Sequence, residues 1–321
     1  MLGGLAAAAA GATGAQLLTA GRARAATAHA TRTWADLLVP GYGAWMGAYP
    51  GPGNAAPGPF ESMIGRKLDV VSRYEALDGK FPSAADMQLI REGRYLAFCW
   101  SSRLNSSPGT YATWHDVAAG RYDAVIRAQA HRLASVGPVF VGYDNEMDGH
   151  VRTARSGPLS YYKAAYSRIH RIVAPIAPKV IWVWCPSGNN MTPEVAAAYP
   201  GNWQVDWICF DPYDPSLSKG GPLGAYKTFP NWLNRHGIGI HKPKGIFETG
   251  FQRTLDGTPG AAAWMAELPH ALVTLNIRMW IWFNSYGGLG DTSIAPGSRA
   301  ANALGTIGSH GAMRRPHKRP G

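Results

Sequence analysis

Eight short apolar runs, separated by segments of helical periodicity, constrain this 321-residue chain more than any other feature. Most runs are almost continuously hydrophobic, as strands buried on both faces are. Strands that alternate with helices pair in parallel, and eight such units predict an α/β fold, a single-domain (β/α)8 TIM barrel. A doubly wound open sheet is the alternative. The predicted strands are 41–45, 68–74, 95–100, 139–143, 180–184, 205–210, 245–247 and 279–283.

The segments between the runs carry apolar stripes and helix end signals. Ser83 is placed to cap a helix, and Thr192-Pro193-Glu194 reads as a cap, a first-turn proline and an acidic first turn. We interpret the stripes as packing surfaces against the strands. They comprise Tyr122, Val125, Ile126, Ala130 and Leu133; Tyr162, Ala165, Tyr166, Ile169, Ile172 and Val173; and Tyr226, Phe229, Trp232 and Leu233.

Several function classes find no support in the residues. The glycines at 41, 43 and 47 lack dinucleotide-binding spacing, and Walker A, G-x-S-x-G and H-E-x-x-H motifs are absent. The net charge is +11, but outside the tail 314–319 the basic residues are scattered. No zinc-ligand spacing or nucleic-acid recognition pattern occurs. We therefore expect no cofactor, no metal and no specific nucleic-acid partner.

Carboxylates follow the fourth, sixth and seventh predicted strands, and the glutamates after the fourth and the seventh form the informative pair. In a barrel, catalytic groups lie at the C-terminal strand ends. Glu146 follows the fourth run and Glu248 the seventh, so the two side chains can meet across the barrel mouth. Two carboxyls about 5–5.5 Å apart suit a retaining glycosidase, and about 6.5–9.5 Å an inverting one. The alternative is that both glutamates form ordinary salt bridges.

The chain resembles glycoside hydrolase family 26, within the clan of retaining (β/α)8 hydrolases that includes β-mannanases, mixed-linkage β-glucanases and β-1,3-xylanases. The likeness runs from about Gly41 to Asn284, and the order and spacing of its segments carry it. Those segments are FESMIGRKLDVV, GRYDAVIRAQAHRLASVGPVFV, NEMDG, VIWVWCPSGNN, YPGNWQVDWICFDPYD, KPKGIFETG and IWFN.

The resemblance implies roles for four residues. Glu146 is then the acid/base and Glu248 the nucleophile. Tyr213 matches the tyrosine that hydrogen-bonds the nucleophile, and Trp282 matches the aromatic of strand eight that lies under the sugar. Trp100 and Trp184 are further candidates for substrate binding, although a place in the core is the favoured alternative for both.

The chain departs from the family at three places that line the sugar pocket. Asn145 stands where the family usually has histidine, and Gly142 where it usually has arginine. The segment His150-Val151-Arg152 replaces an aromatic. These changes argue against mannan as the substrate more than against the hydrolytic chemistry. Asn145-Glu146 instead resembles the Asn-Glu pair of the wider clan, so Asn145 is a candidate to bind the sugar 2-hydroxyl.

The two ends of the chain differ from the rest. Residues 1–25 read as a signal peptide with an A-x-A site at Ala23-Arg24-Ala25, although the usual basic start is missing. Residues 26–36 are a lead-in, 37–310 the catalytic domain and 311–321 a basic tail. No other segment is apolar and long enough to span a membrane. We therefore expect a secreted protein.

Cys99, Cys185 and Cys209 lie in apolar runs and are too few for a disulfide framework. We expect buried free thiols, with a Cys185–Cys209 bridge as the alternative.

The sequence thus predicts a secreted, monomeric, retaining hydrolase of β-linked polysaccharide. An endo-β-glycanase such as an endo-1,4-β-mannanase fits best. Mixed-linkage β-glucan and β-1,3-xylan are further candidates, and the positive charge also suits an anionic envelope polymer. The second class of function is a carbohydrate-binding protein without turnover.

Overall fold

The computed structural model describes residues 37–313, which form a closed barrel of eight parallel strands in sequential order. This confirms the predicted (β/α)8 barrel. The strands are β1 (Trp45–Tyr49), β2 (Val70–Ala76), β3 (Tyr95–Ser101), β4 (Val139–Tyr143), β5 (Val180–Trp184), β6 (Trp207–Phe210), β7 (Lys244–Ile246) and β8 (Ile277–Phe283). The predicted signal peptide, the lead-in and the tail beyond residue 313 lie outside the described residues.

The first strand was predicted four residues too early. Gly43 has a φ of +61° and Tyr42 is half exposed, so the chain turns where the sequence suggested a strand. Pairing with β8 begins at Trp45, which is opposite Met279. Gly47 then passes so close to β2 that a Cβ there would lie 2.8 Å from the Val70 carbonyl oxygen. The strand is therefore the fully buried segment that follows the turn.

Helices cover the outside of the barrel, and their caps follow the sequence signals. Ser83 and Asp86 form a reciprocal capping box, and the Thr192 hydroxyl accepts from the backbone N–H of Val195. The helices are α1 (Gly58–Ile64), α2 (Ala84–Arg91), α3 (Trp114–Ala119), α4 (Asp123–Ala134), α5 (His150–Ser156), α6 (Leu159–Val173), α7 (Pro193–Ala197), α8 (Gly221–Arg235), α9 (Pro259–Thr274) and α10 (Arg299–Ser309). A short hairpin follows β8, formed by β9 (Tyr286–Gly287) and β10 (Gly290–Asp291).

Two apolar layers hold the barrel together. One lies between strands and helices, where all six stripe residues of α6 are buried. Each fully buried side chain the size of isoleucine contributes about 1.5–3 kcal/mol. The other fills the barrel interior with side chains such as Phe140, Trp207 and Ile281. Because side chains fill the barrel interior, sites in such a barrel form at its mouth.

The three cysteines are free and buried, which confirms their predicted state. Across residues 37–313, no helix is long and apolar enough to cross a bilayer.

Candidate active site

A cleft of about 720 Å³ opens at the C-terminal mouth of the barrel. Four of the seven predicted site residues line it: Asn145, Glu146, Tyr213 and Glu248. They come from the ends of β4, β6 and β7, the places where the strand-end argument located them.

A strained turn after β4 presents Glu146. Asp144 and Glu146 both have positive φ, +45° and +56°, which costs about 1–3 kcal/mol per residue and requires support from the surroundings. The Asp144 carboxylate supplies that support. It accepts from the Ser102 backbone N–H (2.8 Å) and from Trp114 Nε1 (2.7 Å), and it pairs with Arg152 (3.2 Å). Asp144 thus anchors the turn.

The other side of the same turn is tied to the end of β5. The Glu146 backbone N–H donates to the Cys185 carbonyl oxygen at 2.7 Å. Asp148 accepts from the backbone N–H of Ser187 at 2.8 Å and from its hydroxyl at 2.7 Å. Of the three acids in the turn, Glu146 is the one that lines the cleft; the other two position it.

The Glu146 carboxyl holds its proton unusually tightly. Burial and, after it, the negative charges of Glu248 and Asp148 together raise its pKa to about 8, while Arg152 opposes them. Burial disfavours a carboxylate because the protein replaces its water shell poorly, and a neighbouring negative charge adds to that cost. Glu146 is therefore suited to donate a proton near neutral pH.

Two tyrosines donate hydrogen bonds to the Glu248 carboxylate. Tyr74, near the end of β2, donates to Oε1, and Tyr213 donates to Oε2 at 2.9 Å. Burial raises the pKa of Glu248 above its ordinary value, and the two hydroxyls and the charge of Arg152 reduce that rise. The donors thus favour the ionised form that burial alone would disfavour.

A third carboxyl, Asp211, lies close to the two glutamates but is fully buried. Burial, followed by the charges of Glu248 and Glu146, raises the pKa of Asp211 well above its ordinary value. Its neutral form is therefore favoured, so it does not add a third negative charge to the site.

Asn145 is buried at the floor of the cleft, yet neither its side-chain oxygen nor its nitrogen has a hydrogen-bond partner within the described residues. Buried amides are nearly always paired, so this amide is available to a ligand. Gly142 makes room for it, since a Cβ there would lie 2.2 Å from Asn145 Oδ1. The two departures from the family pattern, Gly142 and Asn145, therefore depend on each other. A larger residue at position 142 would occupy the space that the Asn145 side chain fills.

Aromatic rings form one wall of the cleft. Tyr49 stacks on Phe283 with centroids 5.2 Å apart, and both rings contact Tyr74 edge-on. Tyr286 of the hairpin also lines the cleft and is 77% exposed. Exposed aromatic faces of this kind suit flat apolar surfaces such as sugar rings. No cluster of His, Cys, Asp or Glu within residues 37–313 is arranged to hold a metal ion.

The barrel is similar to those of known family 26 hydrolases. A GH26 β-mannanase from Bacteroides ovatus superposes with a TM-score of 0.65 at 16% identity, covering 94% of this chain and 95% of that one. An endo-β-1,4-mannanase from Cellulomonas fimi gives 0.61 at 16% identity, covering 85% and 72%. The Bacillus subtilis mannanase BCman gives 0.58 at 15% identity, covering 90% of each chain.

Identities this low show a shared fold. No protein-family model and no curated protein matches the chain.

Three predicted substrate-binding residues lie outside the cleft, and this corrects their prediction. Trp100, Trp184 and Trp282 are at most 1% exposed and pack in the layer between strands and helices. Trp100 Nε1 donates to the Leu77 carbonyl oxygen, and Trp282 Nε1 to that of Thr292. Side chains alternate along a strand, so the aromatic of β8 that reaches the cleft is the next residue, Phe283.

Sequence reasoning missed several cleft residues, and their signals differ. Tyr74 ends a predicted strand, so the rule that located the glutamates could have located it too. Tyr49 and Phe283 required the correct register of β1 and β8. Tyr286 lies in a hairpin that carries no strand pattern, and nothing in the sequence marks it.

Proposed function

We propose that the protein is a secreted retaining glycoside hydrolase that cleaves a β-linked polysaccharide internally. One observation carries the proposal: Glu146 and Glu248 line one open cleft and have different surroundings. Burial and nearby negative charges favour the protonated form of Glu146, as an acid requires. Two tyrosine hydroxyls bond the Glu248 carboxylate and favour its ionised form, as a nucleophile requires. The family 26 barrel and the mannanases among its structural neighbours support β-mannan as the first candidate substrate. Mixed-linkage β-glucan and β-1,3-xylan follow. Secretion rests on the leader in the sequence.

The first step forms a glycosyl-enzyme. Glu248 attacks the anomeric carbon while Glu146 gives its proton to the glycosidic oxygen, and the bond between that carbon and that oxygen breaks. Tyr74 and Tyr213 hold the attacking carboxylate. Asn145, whose amide lacks a protein partner within the described residues, is placed to bind a sugar hydroxyl beside the reacting carbon.

The second step regenerates the enzyme. Once Glu248 is esterified its negative charge is gone, so one of the causes that raise the pKa of Glu146 disappears. Glu146 is now ionised and takes a proton from water, and the oxygen of that water attacks the anomeric carbon. The bond to Glu248 breaks, and the sugar keeps its β configuration.

Hydrolysis of a panel of soluble β-glycans tests the proposal. We expect oligosaccharides from at least one of β-mannan, mixed-linkage β-glucan and β-1,3-xylan. Proton NMR of the fresh products should show the β anomer first and the α anomer only after mutarotation. The α anomer appearing first would refute a retaining mechanism. If no polymer is cleaved but one of them binds, the carbohydrate-binding alternative replaces the proposal.

Tyr74→Phe should lower kcat/KM by about 10- to 150-fold, because a hydrogen bond to a charged group contributes about 1.5–3 kcal/mol. It should also move the acidic limb of the pH–rate profile to higher pH, since the donor lowers the pKa of Glu248. Tyr166→Phe is the matched control, because its hydroxyl bonds the Val183 carbonyl oxygen away from the cleft. An unmoved acidic limb in the Tyr74 variant would contradict this role.

A further inference from the structure

A second cavity of about 370 Å³ adjoins the cleft and contains several basic groups. Its lining includes Tyr111, His150, Arg152 and Arg155, together with Glu146. We call it the side cavity. The basic residues all lie in α5, the helix that follows the Glu146 turn.

The side cavity lies on the leaving-group side of the bond that would be cleaved. Glu146 lines both the cleft and the side cavity, whereas Glu248 lines the cleft and not the side cavity. In a double displacement the nucleophile contacts the sugar that stays on the enzyme, and the acid contacts the oxygen that departs. The space that meets Glu146 alone therefore belongs to the departing part of the substrate.

One positive charge in the side cavity has no counterion among residues 37–313. Arg152 is paired with the buried Asp144 (3.2 Å) and also donates to the Asn145 carbonyl oxygen. Arg155 instead donates to the neutral hydroxyl of Tyr111 at 2.6 Å, with its guanidinium carbon 4.8 Å from the centre of that ring. It forms no ion pair with any described residue. Tyr111 thus holds an uncompensated guanidinium at the cavity wall.

We propose that the side cavity binds a carboxylate carried by the leaving-group part of a β-linked polysaccharide, with Arg155 as the principal contact. A guanidinium binds a carboxylate through two parallel hydrogen bonds. One uncompensated charge matches a singly charged carboxylate better than a doubly charged phosphate. The inference rests on the proposed function and narrows its substrate to an acidic glycan. The positive charge of Arg155 at the site has the same sign as the overall charge of +11, so both would attract an acidic glycan.

Two matched pairs of polymers test the inference: galactomannan with its carboxymethylated form, and hydroxyethylcellulose with carboxymethylcellulose. The readout is the ratio of kcat/KM on the charged polymer to that on the neutral one. Arg155 is exposed, so Arg155→Gln should lower this ratio roughly fivefold, the upper end of what an exposed ion pair contributes. Arg132→Gln is the control, because Arg132 lies exposed on α4 and the variant has the same net charge. Its ratio should stay within about twofold of the parent value.

An unchanged ratio in Arg155→Gln, or an equal fall in Arg132→Gln, would overturn the inference while hydrolysis itself stands. The second result would show attraction by overall charge alone. If neither pair is cleaved, the dissociation constants of the same polymers decide. Weaker binding of the charged polymer in Arg155→Gln but not in Arg132→Gln supports the carboxylate site even where the proposed activity fails. If the two variants bind the charged polymer equally well, the proposed carboxylate site is refuted.

Discussion

Glu248→Ala should abolish hydrolysis, with kcat/KM falling on the order of 10⁵-fold, because the group that forms the covalent intermediate is gone. Added azide should restore part of the turnover. A small anion can enter the space that the side chain leaves and attack from the same face, which yields a glycosyl azide of inverted configuration. Initial rates on the best polymer, or on an activated aryl glycoside, and NMR of the azide product measure both effects.

Folding is not expected to explain this loss. Glu248 is buried, and burial disfavours its charge, so the neutral isostere Glu248→Gln should melt at or above the parent temperature while remaining inactive. Glu194→Ala removes an exposed carboxyl from the start of α7 and should keep full activity. Substantial residual activity in Glu248→Gln would mean that another group attacks the sugar.

Glu146→Ala should show a loss that depends on the leaving group. On a polysaccharide, kcat/KM should fall about 10²–10⁴-fold, the usual contribution of a positioned proton donor. On a dinitrophenyl glycoside the first step should be nearly unaffected, because that phenolate departs without a proton. A burst of dinitrophenol followed by slow turnover would show that the glycosyl-enzyme accumulates, since Glu146 is also the base of the second step.

The pH profile offers an independent check on the same residue. Because the pKa of Glu146 is raised to about 8, kcat/KM of the parent enzyme should fall at pH values above that, as the acid loses its proton. The alkaline limb should disappear in Glu146→Gln. Equal losses on polymer and aryl glycoside, or an alkaline limb that persists in the variant, would assign proton donation to another group.

How well the sequence predicted each feature depends on how local its cause is. The strand β4 was predicted to the residue, because Val139–Tyr143 is a short apolar run bounded by a glycine and an acidic turn. The cap of α2 was predicted from Ser83 alone, and the structure adds Asp86 as its reciprocal partner. The glutamates could be paired because parallel strands bring their carboxyl ends to one edge, whatever the side chains between them.

The orientation of side chains was harder to predict. Trp282 and Phe283 are adjacent, yet one packs against helices and the other lines the cleft. A strand that alternates apolar and polar residues reveals its two faces, but β8 is apolar on both. The choice between the two aromatics therefore required the register of β8 against β1.

By itself, the sequence determined the number and order of the strands and placed two glutamates at one mouth, since apolar runs, caps and strand ends act over a few residues. Only the tertiary structure decided which groups surround those glutamates. The Tyr74–Glu248 hydrogen bond joins residues 174 positions apart, and Arg155 meets Tyr111 across 44. Such contacts exist only once the barrel closes, because closure alone brings the loops after different strands around one cleft.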